Sequence, residues 1–322
     1  MKLLRSAGWL AGLIGLMSSQ VQAQTNLQVP QTPPETQLDE IVVTGGRLRA
    51  QAEAFVESVA APPEGRKLAT WRGSICVAAA GLAPEASQVM VDRILDWGHS
   101  LGLRVGAPGC RPNILIVFGE DGDQTARELV RTRPSDFDTG IAGMNGGRRA
   151  LRAFQTSGRP VRWWHASLPL DPDTGDPLVR LRGEAPFSVR GEITRPSDLG
   201  SFGQIVMGSR LYDDSMDALQ SLVVVVDAQA LEQSSFGQLS DYVAMIALAQ
   251  IEPDPRPAAA SILNLFNDEG SHEPTLTSWD QAFLEALYKT QSRNVAPNWD
   301  GDLIAQGMAR RLQQSTRADL DP

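Results

Sequence analysis

Two short apolar runs, Ser74–Ala80 (SICVAAA) and Asn113–Phe118 (NILIVF), flank a stretch in which Met90, Ile94, Trp97 and Leu101 recur at helical spacing. Pro84 suits the first turn of that helix, and Gly102 and Gly106 end it. Together the three segments predict a β-α-β unit, which favours a sheet with a right-handed crossover. Val161–Ala166 (VRWWHA) alternates weakly, as a strand does, and further strands are expected near 178–182, 204–212 and 221–227. The last of these, SLVVVVD, is a β-branched run of the kind found in a central strand. From Leu239 the period changes. Residues 239–251 (LSDYVAMIALAQI) are apolar nearly all round after Asp241, so they predict a helix buried on most faces, ended by Pro253 and Pro255. Helices near 258–266, 277–290 and 301–314 follow. Strands come first and helices last, which predicts an α+β body with a mixed sheet and a helical C-terminal third. No internal repeat is found.

The front of the chain is patterned differently. Lys2 and Arg5 precede an apolar run from Gly8 to Met17, and Val21-Gln22-Ala23 fits the small-x-small pattern of a cleavage site. Residues 1–23 therefore read as a signal peptide. This places the mature chain in the periplasm of a Gram-negative envelope. The run is too short to span a bilayer comfortably, and no later apolar stretch reaches spanning length, so no integral membrane segment is expected after cleavage. Residues 24–37 (QTNLQVPQTPPETQ) are polar and proline-bearing and read as an exposed tether. The stretch AQAEAFVESVAAPPEGRK has room for a short helix that Pro62-Pro63 stops. On this reading 24–67 is tether and 68–322 is a single globular domain.

Charge narrows the partners. The formal net charge is −9, and losing Lys2 and Arg5 with the signal takes it to −11. So acidic a chain repels nucleic-acid phosphates, and no nucleic-acid partner is expected. Its lysines are Lys2, Lys67 and Lys289, none of them in a GxxxxGK[ST] loop, which excludes a P-loop. Cys76 and Cys110 both lie in the exported part, on or just before neighbouring predicted strands. A disulfide between them is expected in an oxidising compartment, with a nominal stabilisation of roughly 3–4 kcal/mol.

Catalytic chemistry is hard to place. His99, His165 and His272 are far apart in sequence. His272-Glu273 begins like HExxH, but position 276 is Leu, and Pro274 disrupts the helix that motif needs. No GxSxG elbow occurs. Asp213, Asp214, Asp217 and Asp227 read as solvated loop acids. No metal and no cofactor is expected. Between Arg127 and Arg162, eight arginines face three acids. Arg148, Arg149 and Arg162, with Trp163 and Trp164, are the candidate grip for an anionic ligand, because guanidinium groups hold carboxylate or phosphate bidentately and indole supplies a stacking face. The competing reading has these arginines pair with the protein's own acids and the tryptophans pack the core.

Asp39-Glu40-Ile41-Val42-Val43-Thr44-Gly45 resembles the segment near the mature N-terminus of TonB-dependent outer-membrane receptors. In those receptors it resembles the box that engages the periplasmic energy-transducing partner. Ile41-Val42-Val43-Thr44 is a β-prone run beside the tether, and such a strand can add to an open sheet edge. The resemblance implies a TonB-type or other cell-envelope partner, bound by β-strand addition through residues 39–45. No receptor barrel follows, since about twenty-two strands of about ten residues would nearly exhaust the chain.

The region from Trp71-Arg72-Gly73 through TLTSWDQAFLEALY at 275–288 resembles an uncharacterised family of secreted bacterial proteins with a zincin-like layout. In zincins a long buried helix carries the HExxH ligands. Here the corresponding helix offers Tyr242, Val243, Ala244, Met245 and Ile246, which implies a degenerate zincin without metal. The expected function is that of a non-catalytic interaction protein. An envelope hydrolase, peptidase or glycan-acting, with acids and a His assembled in space, is the alternative.

Overall fold

The computed structural model describes residues 36–63, 66–137, 145–171, 175, 216–231, 234–267, 273–290 and 297–320, with 36–44, 297–300 and 317–320 described as backbone only. The chain divides into two compact units, Met1–Ile41 and Val42–Pro322. The first unit is described only where its backbone is helical, over 36–41.

In the second unit a four-stranded sheet runs in the order β1-β2-β4-β3. Strands β1 (Val77–Ala80), β2 (Ile114–Gly119) and β4 (Met216–Asp227) are parallel, and β3 (Val161–Leu170) pairs antiparallel with β4 at the edge. Helix α2 (Pro84–Ser100) joins β1 to β2, so the expected β-α-β unit is present. The fold is α+β with a mixed sheet, as the succession of periods predicts. Strand β4 lies centrally, with Leu222, Val224 and Val226 on one face and Val223 and Val225 on the other.

The two faces carry different cores. On one, Ile114, Ile116, Trp163, Leu222 and Val224 share a core with Met90 and Ile94 of α2 and with Leu239 and Tyr242–Leu248 of α5 (Phe236–Leu248). Helices α1 (Thr36–Val59), α6 (Ser278–Thr290) and α7 (Pro297–Leu320) extend this core through Phe55, Phe283 and Met308. The ring of Phe55 lies 5.7 Å from Trp279 and 6.0 Å from Phe283. Helices α6 and α7 approach closely, since a Cβ built on Gly307 would stand 2.9 Å from Cβ of Ala286. The other face is smaller. There α3 (Gly122–Thr132) and α4 (Gly147–Thr156) bring Ala126 and Phe154 onto Trp164, Val223 and Val225.

Cys76 and Cys110 form the expected disulfide, with Cα atoms 6.1 Å apart. Backbone bonds hold both ends near it: Ile114 N–H donates to Cys76 O, and Gly106 N–H donates to Ile75 O. Among the described residues no helix is long and apolar enough to cross a membrane.

Several expectations are corrected. The folded body begins well before Leu68. Ala52, Phe55, Val56 and Val59 are buried in the main core, and Leu48 packs against it. That seam is spaced for a helix, and it makes 46–59 part of the body rather than tether. Once the seam is packed, the helix propagates N-terminally at the cost of one residue per hydrogen bond. The backbone over 39–45, expected to be extended, is therefore helical within α1. The helix expected over 258–266 shrinks to a single 3-10 turn, Ile262–Asn264, because Asp280 holds its start through Ser261 Oγ (2.5 Å) and Ile262 N–H (2.9 Å). Helices α3 and α4 lie in or beside the arginine-rich stretch, for which the sequence predicts no element before Val161. The strands expected at 178–182 and 204–212 lie outside the described residues.

Candidate functional site

The arginine and tryptophan residues singled out above do not converge. Arg148 and Arg149 are exposed on α4. Arg162 is buried on β3, where Nη1 pairs with Asp123 and Nη2 donates to the carbonyl of Arg159 at 2.9 Å. Trp163 and Trp164 follow it on the same strand, so their side chains leave on opposite faces of the sheet. Trp163 enters the larger core and donates Nε1–H to Ile251 O at 3.0 Å. Trp164 enters the smaller one beside Phe137 and Phe154. The five side chains thus form no single anion grip. Arg162 serves the protein's own acid, and both indoles serve packing.

Helix α5 is the centre of the larger core, with every residue from Leu239 to Leu248 buried. It opens on a capping box: Ser235 Oγ accepts from Gln238 N–H, and the Gln238 side chain accepts from Ser235 N–H. Its buried C-terminus poses the harder problem, because the last carbonyls of a helix lack intrahelical donors. Three side chains from three separate segments supply them. His165 Nε2 donates to Ile246 O (3.0 Å), Trp71 Nε1 to Ala247 O (2.6 Å) and Tyr288 Oη to Leu248 O (2.8 Å). Desolvation pulls His165 down from 6.5 to about 4, so the ring is neutral and its Nε2 carries the donated proton. Burial raises the Tyr288 hydroxyl well above its ordinary value, so it too remains a donor.

Near its N-terminus, α5 carries Asp241, only 1% exposed. Arg93 of α2 grips it with two parallel bonds, Nε–Oδ1 at 2.6 Å and Nη2–Oδ2 at 2.7 Å, and Trp97 Nε1 adds a third at 2.8 Å. That bonding raises Arg93, with burial opposing. A pair buried on both sides stands where β4 begins. Arg66 Nε donates to Asp217 Oδ1 at 2.9 Å, its Nη2 joins the same oxygen, and Lys67 N–H donates to Oδ2 at 3.2 Å. Asp217 was read as a solvated loop acid, but burial in the sheet gives it this structural partner. Asp213 and Asp214 lie outside the described residues, and Asp227 accepts from Gly122 N–H at 3.0 Å at the start of α3.

Among the described residues no group of three or more His, Cys, Asp and Glu stands close enough to hold a metal ion. His99 lies exposed in the last turn of α2, His165 caps α5, and His272 is outside the described residues. No family model, curated protein or solved structure matches this chain.

The front segment remains. Residues 39–45 open α1, and the same helix ends in the core at Val59. Val42, Val43, Thr44, Gly45 and Gly46 are five consecutive poor helix formers on a helical backbone. A Cβ on Gly45 would stand 3.2 Å from Nε2 of Gln313 on α7, whereas Gly46 faces open space. Sequence reasoning found this segment but not the helix. It missed the three donors to α5 because they lie far apart in the chain and meet only in three dimensions.

Proposed function

We propose that the protein is a non-catalytic interaction protein of the cell envelope, in which residues 39–45 engage a TonB-type or other envelope partner and the body acts as a metal-free scaffold with a zincin-like layout. The observation that carries this reading is the mismatch at the front of α1. A helix consumes backbone N–H and C=O groups within itself, so strand addition requires 39–46 to unwind. The cost is small, because Gly and β-branched residues each weaken a helix by a few tenths to about 1 kcal/mol relative to better formers. The same residues favour a strand once an open sheet edge is offered. The core anchor at Ala52, Phe55, Val56 and Val59 stays in place while the front changes partner.

The scaffold part of the reading rests on α5. On the zincin-like reading α5 stands for the helix that carries the ligands, and its residues Tyr242 to Ile246 are packed into the core. The experiment is capture of the purified periplasmic domain of a TonB-type protein by the mature chain and by a variant lacking 38–47. The deletion abolishes capture and leaves the circular dichroism of the body intact. Equal capture by both forms removes the proposal.

A further inference from the structure

The smaller core covers only part of its face of the sheet. Toward the start of β2 and the middle of β4 an open cavity of about 420 Å³ remains, bounded by the turn that follows α3. We propose that this cavity binds a small organic anion, a carboxylate with a short apolar tail.

The lining divides by chemistry. Leu115 and Val223, neighbours across the β2–β4 pairing, supply an aliphatic floor. Arg111, Arg133, Ser135 and Ser221 supply guanidinium and hydroxyl donors around it. Arg133 is partly engaged, its Nε bonded to Asp136 Oδ2 at 2.6 Å, and its terminal nitrogens make no hydrogen bond among the described residues. Arg111 is exposed and pairs with no carboxylate among the described residues. The two arginines against Asp136 leave the lining one positive charge in excess, in a chain of formal net charge −9. A cationic hollow on so acidic a protein selects anions, and guanidinium groups grip carboxylate through paired bonds. The volume lies within the range of small-molecule sites, roughly 300–1,000 Å³; the lining is mainly polar, with Asn113 and Gln220 beside the arginines and serines, and its apolar part is confined to the floor. This site shares no residue with the Arg148, Arg149, Arg162 and tryptophan set, and it is independent of residues 39–45.

Calorimetric titration of the mature chain with hexanoate, inorganic phosphate and hexylammonium tests the assignment. Hexanoate binds saturably, phosphate more weakly, and hexylammonium not at all. Arg111→Ala weakens hexanoate binding by roughly tenfold or more, the worth of one charge-assisted hydrogen bond, and Arg111→Glu abolishes it. Both variants keep the wild-type melting temperature, since Arg111 holds no described partner. Absent saturation by hexanoate, wild-type affinity in Arg111→Glu, or binding of hexylammonium as tight as hexanoate each overturns the proposal. Phosphate binding tighter than hexanoate overturns the assigned apolar tail.

Discussion

His165 couples the edge strand to the end of the central helix, and burial disfavours its protonated form although that form could donate the same bond. Its folded value of about 4 lies below the unfolded 6.5, so the unfolded chain binds the extra proton first. Stability from this group is therefore complete above pH 6.5 and falls as pH drops toward 4, by up to about 3 kcal/mol. His165→Gln keeps a side-chain donor without titrating in this window. The stability of wild type relative to His165→Gln should shrink between pH 7 and pH 4 in urea unfolding; parallel profiles would show that the ring does not titrate with folding. Arg66 and Asp217 make a second residue-level case. Asp217→Ala leaves a guanidinium buried without its carboxylate and should cost about 3–5 kcal/mol. Joint replacement by Met and Leu should recover part of that loss, because the desolvation of both charges disappears with them. A double variant no more stable than the single one would count against this account.

At the scale of elements, α1 is where local preference and tertiary packing disagree. Gly46→Ala adds a methyl group in open space and should strengthen the helix by about 1 kcal/mol. If residues 39–45 act as a strand toward their partner, that variant should capture the TonB-type domain less well than wild type. Gly46→Pro, which breaks the helix interior, should capture it better. The opposite ranking would point to recognition of the helix itself. The disulfide belongs to the same scale. It ties the start of β1 to the loop before β2 across 34 residues, and its loss in a Cys76→Ser, Cys110→Ser variant should lower stability by roughly 3–4 kcal/mol in the chain-entropy description. Melts with and without reductant measure that difference.

For the second unit as a whole, stability depends on one large core shared by sheet and helices, and α1 contributes to it from the N-terminal side. A truncation at the residue where the sequence places the body, Leu68, removes Phe55 and its contacts with Trp279 and Phe283. Such a chain should unfold at markedly lower denaturant than one beginning at Gly46, since losing a buried Phe side chain alone costs about 3–5 kcal/mol. Coincident unfolding curves would restore the boundary at 68.

The placement of Cys76 and Cys110 beside neighbouring predicted strands, in a chain read as exported, pointed to their pairing; hydrophobic patterning and residue type determined the α+β class, the β-α-β unit, the central place of β4 and the buried character of α5. These features rest on short-range patterns of burial, and such patterns survive in one dimension. Tertiary structure decided the rest. Ile41 to Thr44 read as strand because local preference is all a sequence displays, while a packed seam further along the same helix accompanies their helical backbone. Trp163 and Trp164 read as one surface, yet neighbours on a strand face opposite ways. The donors to α5 are His165, Trp71 and Tyr288, and the cavity lining joins Arg111 to Arg133 and Ser221. No spacing announces either group, because hydrogen bonding and burial are satisfied by whichever residues the fold brings within reach.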